Sequence, residues 1–255
     1  MSNQSIITNL LHSSSVHEEW ITPLSNALQT IEPDYLQSLI QGKNWLPGSE
    51  KLFSAFQRDL THCQYVLFGE SPYPRKESAN GIAFYDAAVD TLWSDNGLSK
   101  PVNRATSLRN IMKTALVAQG LIEPESNGKI PQSTIAAVDK HDLIQNIQQL
   151  FTALQNKGFL LFNATPVLHP DRKPAKEAKY WTSFVLQLLI EIKKVKDNLP
   201  TLVLWGKVAL QIEDMSVADE YPKLRSEHPY NISFIHNKIM LQLFSQLKIL
   251  SNEET

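Results

Sequence analysis

The sequence predicts an α/β fold, a three-layer α/β/α sandwich with a central parallel four-stranded sheet. Three observations predict it. Four short apolar runs stop at a glycine or a polar residue: Tyr65-Val66-Leu67-Phe68 before Gly69, Phe159-Leu160-Leu161-Phe162 before Asn163, Thr201 to Trp205 before Gly206, and Leu224 to Glu227 before His228. Such runs of β-formers read as buried strands. Amphipathic helical stretches alternate with them, the pattern of a parallel sheet covered on both faces. Finally, the residues at the strand ends are polar or sit in stiff turns, and in a parallel sheet those ends share one edge, where open α/β sheets place their ligand sites.

Residues 1–16 are polar and serine-rich and are expected to be a flexible N-terminus; 17–255 read as a single domain. From His17 to Gln41, Trp20, Ile21, Leu24, Leu28 and Ile31, then Tyr35, Leu36, Leu39 and Ile40, recur at three and four, giving two helices with Pro33 opening the second. Leu46-Pro47-Gly48-Ser49 is a turn, and Leu52, Phe53 and Phe56 mark a short helix. Thr106 or Ser107 is placed to cap a helix whose face is Leu108, Ile111, Met112, Ala115 and Leu116. Pro124, Asn127-Gly128 and Pro131 make 120–142 read as an exposed insertion, and Leu143 to Leu154 as a helix. Pro166 to Lys179 reads as a loop. Tyr180, Trp181, Phe184, Val185, Leu188, Leu189 and Ile192 trace a core helical stripe, and Ile239 to Leu250 a closing helix.

The 24 basic and 26 acidic residues nearly cancel, which excludes a generally basic nucleic-acid coat but leaves room for a local basic patch. The single Cys63 cannot form an internal disulfide, which suits a reducing compartment, and it reads as an inert core residue. The start lacks a signal-peptide pattern, and no run approaches the ~20 apolar residues of a membrane span. A soluble, cytoplasmic protein is expected. His17-Glu18-Glu19-Trp20 resembles the start of a zinc-protease helix, but Ile21 stands where the second His is needed, so no metal is expected.

Around Tyr65–Phe84 the sequence reads YVLFGESPYPRKESANGIAF. Pro72 and Pro74 forbid a helix and stiffen the loop after the first strand. With Asn163, Trp205-Gly206 and His228 at the other strand ends, a rigid turn, an amide and an imidazole are expected to converge. Taken alone, Asn163 could cap a turn, Phe84 could be a core residue and His228 could be structural.

The series Gly69-Glu70-Ser71-Pro72-Tyr73-Pro74, Gly81-Ile82-Ala83-Phe84, Thr106-Ser107-Leu108, Phe159 to Asn163, Leu204-Trp205-Gly206 and His228-Pro229 resembles the uracil-DNA glycosylase superfamily in order and spacing. It is nearest to the best-known branch, with a divergent Gly-Glu-Ser-Pro-Tyr-Pro segment. The match spans about Trp20 to Leu250 and leaves out 120–142. The resemblance implies excision of a base from DNA without a cofactor, by a monomer that flips the target base out of the stack. It implies that Phe84 stacks on uracil and that Asn163 reads the Watson–Crick edge, its amide offering both donor and acceptor. It makes Tyr73 the wall against a 5-methyl group and His228 the donor to uracil O2 as charge builds on the departing base. Ser107 and Pro229 correspond to backbone-gripping segments, and Ile232 to the wedge filling the vacated stack. Lys173, Lys176 and Lys179, with Arg172, could form a DNA-facing patch or a solvated loop.

Where the best-known branch has Gln-Asp this chain has Glu70-Ser71, so the charge that positions water is expected from Glu70, or from water ordered by Ser71. Tyr230-Asn231-Ile232-Ser233 replaces a family Ser-Pro-Leu-Ser. Two other readings remain open: a non-enzymatic DNA- or protein-binding module of the same fold, and a hydrolase using Ser71 as nucleophile. The second lacks the Gly-x-Ser-x-Gly elbow, because Pro72 follows Ser71.

Overall fold

The structure is a computed structural model that describes residues 2–42 and 44–252. Helices α1 Asn3–Ser13, α2 Glu18–Leu28 and α3 Pro33–Gln41 precede strand β1 Tyr65–Gly69. Then come β2 Trp93–Ser94, β3 Gly97–Leu98, α4 Lys100–Arg104, α5 Thr106–Ala118, α6 Gln132–Ala136 and α7 Ile147–Asn156. The chain continues with β4 Phe159–Asn163, α8 Pro174–Val195, β5 Thr201–Trp205, α9 Lys207–Glu213, β6 Lys223–Ser226 and α10 Lys238–Leu247. Its contacts group it into two compact units. One comprises the chain up to Asp86 with Gly158–Leu204 and Val208–Lys223; the other comprises Ala87–Lys157, Trp205–Lys207 and the chain from Leu224.

The central sheet has the order β4-β1-β5-β6, with β1 parallel to both β4 and β5. Tyr65 pairs with Phe159 and Gly69 with Asn163, so the two strands end level. The Leu202 N–H donates to the Pro222 carbonyl at 2.8 Å, and the Gly206 N–H donates to the Ser226 carbonyl at 3.1 Å, which continues the ladder onto β6. Val66 and Phe68, Leu160 and Phe162, and Leu202 and Leu204 share one face and join the main core. Leu67, Leu161 and Val203 point the other way and are also buried. Burial on both faces is the reason these strands read as continuous apolar runs instead of alternating ones.

In the first unit α2 packs along α8. Aromatic contacts join this layer to the sheet: Phe162 of β4 meets Phe56 edge-on with centroids 4.9 Å apart, and Phe184 of α8 at 5.9 Å. The expected flexible N-terminus is corrected over Asn3–Ser13, which form α1 and bury Ile6, Ile7, Leu10 and Leu11. Its polar residues flank a narrow apolar stripe at i, i+1, i+4 and i+5, and the stripe is what folds it. The expected loop from Pro166 also ends early, because Pro174 stands in the first turn of α8, where a proline costs nothing.

In the second unit α5 carries the predicted apolar face, with Leu108, Ile111, Met112, Ala115 and Leu116 all buried. Its cap is Ala105, so neither Thr106 nor Ser107 caps the helix. The helix expected from Leu143 begins at Ile147, because Asn146 and Gln149 form a reciprocal capping box there. The 120–142 segment is not simply exposed. Ile122, Ile130 and Ile135 are buried, and the Gln132 side chain accepts from the Leu98 N–H and donates to Asn103.

Candidate active site

In the first unit the site residues gather at the level ends of β1 and β4. The pairing runs on past the strands: the Ala164 N–H donates to the Gly69 carbonyl at 2.8 Å and the Thr165 N–H to the Glu70 carbonyl at 3.0 Å. This fixes the start of the Glu70–Pro74 turn against the residue after Asn163. A Cβ on Gly69 would lie 2.3 Å from Asn163 Oδ1 and 2.8 Å from Ala83 Cβ, so glycine here makes room for the carboxamide. Asn163 is only 4% exposed, yet its side chain makes no hydrogen bond among the described residues. The amide is not among the sealed polar atoms that lack a partner, so solvent reaches it and its donor and acceptor are open to a ligand.

Phe84 stands beside the same edge in a left-handed conformation, φ 65°. For a non-glycine residue that conformation costs on the order of 1–3 kcal/mol and persists only when the surroundings impose it. Here the Ala83 N–H donates to the Leu161 carbonyl at 3.0 Å, fixing the segment on β4, and Asn80 Oδ1 accepts from the Ile82 N–H at 3.0 Å. Gly81, φ 85°, passes so close to the Lys51 carbonyl that no side chain fits. The Tyr73 hydroxyl donates to the Phe84 carbonyl at 3.4 Å, joining the two ring-bearing residues. Burial pushes the Tyr73 phenol up to about 12, and the nearby Asp86 carboxylate adds to this against the opposing Arg75. It is therefore a neutral donor at ordinary pH. Arg75 Nη2 and Asp86 Oδ2 pair at 3.2 Å beneath the turn. Glu70 is exposed and Ser71 half-buried.

In the second unit His228 follows β6. The Tyr230 N–H donates to its Nδ1 at 3.1 Å, so in the neutral ring the proton sits on Nε2. A Cβ on Gly206 would lie 2.6 Å from His228 Cβ, so this glycine admits the histidine as Gly69 admits Asn163. Asn110 of α5, 2% exposed, was not anticipated from the sequence. Its Nδ2 donates to the Pro229 carbonyl at 2.7 Å and reaches the Asn231 carbonyl at 3.3 Å. A polar residue inside an apolar helical stripe is the signal that could have found it. Ser107 lies in the first turn of α5, where orphan N–H groups and the helix dipole favour an anion. Ile232 is 66% exposed and opens the 3₁₀ turn Ile232–His236, whose Phe234 and Ile235 are buried.

The four basic residues after Asn163 divide between surface and interior. Lys173, Lys176 and Lys179 are exposed at the start of α8. Arg172 turns inward instead, 3.6 Å from the buried Glu177 carboxylate and over the rings of Tyr35 and Tyr180. Glu177 also accepts from the Tyr35 hydroxyl, to which Trp181 Nε1 donates at 2.9 Å. A buried carboxylate needs such partners, which is why the arginine leaves the surface.

No protein-family model matches the chain. A curated uracil-DNA glycosylase of Corynebacterium glutamicum is 24% identical over 237 residues, 89% of this chain and 87% of that protein. The mimivirus uracil-DNA glycosylase shares the fold, with a TM-score of 0.56 at 16% identity over 88% of this chain and 72% of that one. The crystal structure of wild-type UNG from Nitratifractor salsuginis has a TM-score of 0.91 at 35% identity, covering 99% of this chain and 100% of that one. The fold class is thus the α/β three-layer sandwich with its parallel four-stranded sheet, and the chain belongs to the uracil-DNA glycosylase family.

Proposed function

We propose that this protein excises uracil from DNA by hydrolysing its N-glycosidic bond, leaving an abasic site. The observation that carries the reading is the buried Asn163 carboxamide, whose donor and acceptor have no partner among the described residues. Uracil presents the complementary pair, O4 to accept and N3–H to donate, whereas cytosine would set donor against donor. Phe84 stacks on the flipped base, and Tyr73 closes the position that a 5-methyl group would occupy. His228 donates from Nε2 to uracil O2 as negative charge develops there, which stabilises the departing anion. Ser107, Pro229, Ile232 and Lys173 hold the DNA strand. No cofactor enters a step.

Water attack is the step at which this chain differs from the best-known branch. Glu70 takes the role of orienting water, helped by the Ser71 hydroxyl. General-base contributions run to ~10²–10⁴-fold, so the exchange of a positioned Asp for Ser71 is large enough to matter. That exchange also favours a second reading, a slow or inactive relative that binds DNA or protein. A gel assay on oligonucleotides containing uracil, hypoxanthine or mismatched thymine decides between them. Excision of uracil that falls ~10²-fold or more in Glu70→Gln supports the first reading. A wild type inactive on every base overturns it. Buried Cys63 supports a reducing, cytoplasmic compartment, and the protein acts as a monomer. No helix among the described residues is long and apolar enough to cross a membrane.

A further inference from the structure

We propose that Tyr230 is a stacking platform for the nucleobase next to the excised nucleotide, and that its occupant is single-stranded DNA. The inference rests on the excision reading above. Tyr230 is 68% exposed and Ile232, two residues on, 66% exposed. The backbone from Pro229 to Asn231, by contrast, is held at several points. The Tyr230 N–H is bound to His228 Nδ1, and the Asn231 N–H donates to the His228 carbonyl at 2.9 Å. Asn110 holds the carbonyls of Pro229 and Asn231. Below them Phe234 is fully buried, with its ring edge-on to Trp205 at 5.0 Å. An aromatic side chain presented on a fixed backbone loses little entropy when it is covered, which suits it to binding.

The surrounding charge points to nucleic acid as what covers it. Arg225 and Lys238 flank the segment and are exposed. Its one carboxylate, Glu227, is held below the usual range against the opposing effect of burial, by hydrogen bonds from Ser233 and Asn237. His236 is already bonded to the Gly128 carbonyl at 2.7 Å. An exposed ring on a segment bounded in sequence by exposed basic residues is a combination that holds bases and backbone of single strands. In a duplex the flanking base is stacked on both faces, whereas in a single strand it has a face to offer. Tyr230 therefore ties affinity to unpaired DNA while its own N–H holds the His228 ring.

The test compares wild type, Tyr230→Phe and Tyr230→Ala on single-stranded and duplex oligonucleotides with one uracil. Alanine keeps the N–H to His228, so the imidazole is not disturbed. Tyr230→Ala should raise KM on the single strand about 5- to 150-fold, with the change falling on KM more than kcat. The duplex should be affected less, and Tyr230→Phe should behave as wild type. Binding is read separately with 2-aminopurine on either side of the uracil: wild type and Tyr230→Phe should change its fluorescence, and Tyr230→Ala should not. Equal KM and equal fluorescence change in wild type and Tyr230→Ala would overturn the proposal. So would a variant that loses self-association while binding DNA unchanged, which would assign the tip to a protein interface. A wild type that binds but does not excise would remove the excision reading, and the fluorescence titration would still decide the stacking.

Discussion

Gly69 and Asn163 are register partners at the ends of adjacent parallel strands, and the missing Cβ of one is the space the amide of the other fills, 2.3 Å from where that carbon would stand. Gly69→Ala must push the carboxamide aside or shift Ala83. Overpacking of this kind costs about 1–3 kcal/mol. Displacement of a substrate-positioning group by about 1 Å can cost ~10²-fold in rate. Denaturant unfolding and excision kinetics on one uracil oligonucleotide should show both effects, with the loss in rate exceeding the loss in stability.

Asn163→Ala separates the two quantities. Removing an amide that makes no hydrogen bond among the described residues leaves only a small void, so stability should change by less than about 1 kcal/mol. That corresponds to roughly 2–4 °C in Tm for a chain of this size. Uracil excision should fall by at least ~10²-fold. A large drop in Tm on calorimetry would show that the amide serves the fold instead.

On the excision reading, His228→Ala removes the donor to uracil O2, a ring held by the Tyr230 N–H. Loss of one such donor costs ~10²–10³-fold in kcat, because the charge it meets exists only in the transition state. Single-turnover rates at saturating enzyme should fall by that factor while binding of the oligonucleotide changes little.

Asn110→Ala leaves the Pro229 and Asn231 carbonyls without their donor. The expected cost is about 1–3 kcal/mol in stability. Excision should fall too, through a loosened His228 segment. Asn110→Asp, which keeps the shape but has no N–H to give, should resemble the alanine variant in both measurements.

Burial raises the Cys63 thiol to about 12 against the opposing pull of Lys196. Thiol reagents at pH 8 should react with it only on unfolding. Because the folded state holds this proton more tightly than the unfolded state, the contribution to stability is complete below about pH 9 and declines as pH rises toward 12. Cys63→Ala should flatten that decline in unfolding curves taken between pH 8 and pH 11.

By itself the sequence determined the alternation of strand and helix, the polar residue at each strand end and the members of the main apolar stripes. These are properties of spacing along the chain, and Phe159 to Asn163 shows why: a short apolar run of β-formers after Gly158, stopped by one amide, reads as a buried strand with a polar group at its end. Tertiary structure decided the rest. That α1 folds, that Arg172 turns from the surface to Glu177, that Phe84 is held left-handed and that Asn110 carries the Pro229 turn all depend on partners distant in sequence. Periodicity reports which face of an element is apolar, but a lone buried polar group or a strained residue is explained only by the groups that surround it, and no local pattern encodes them.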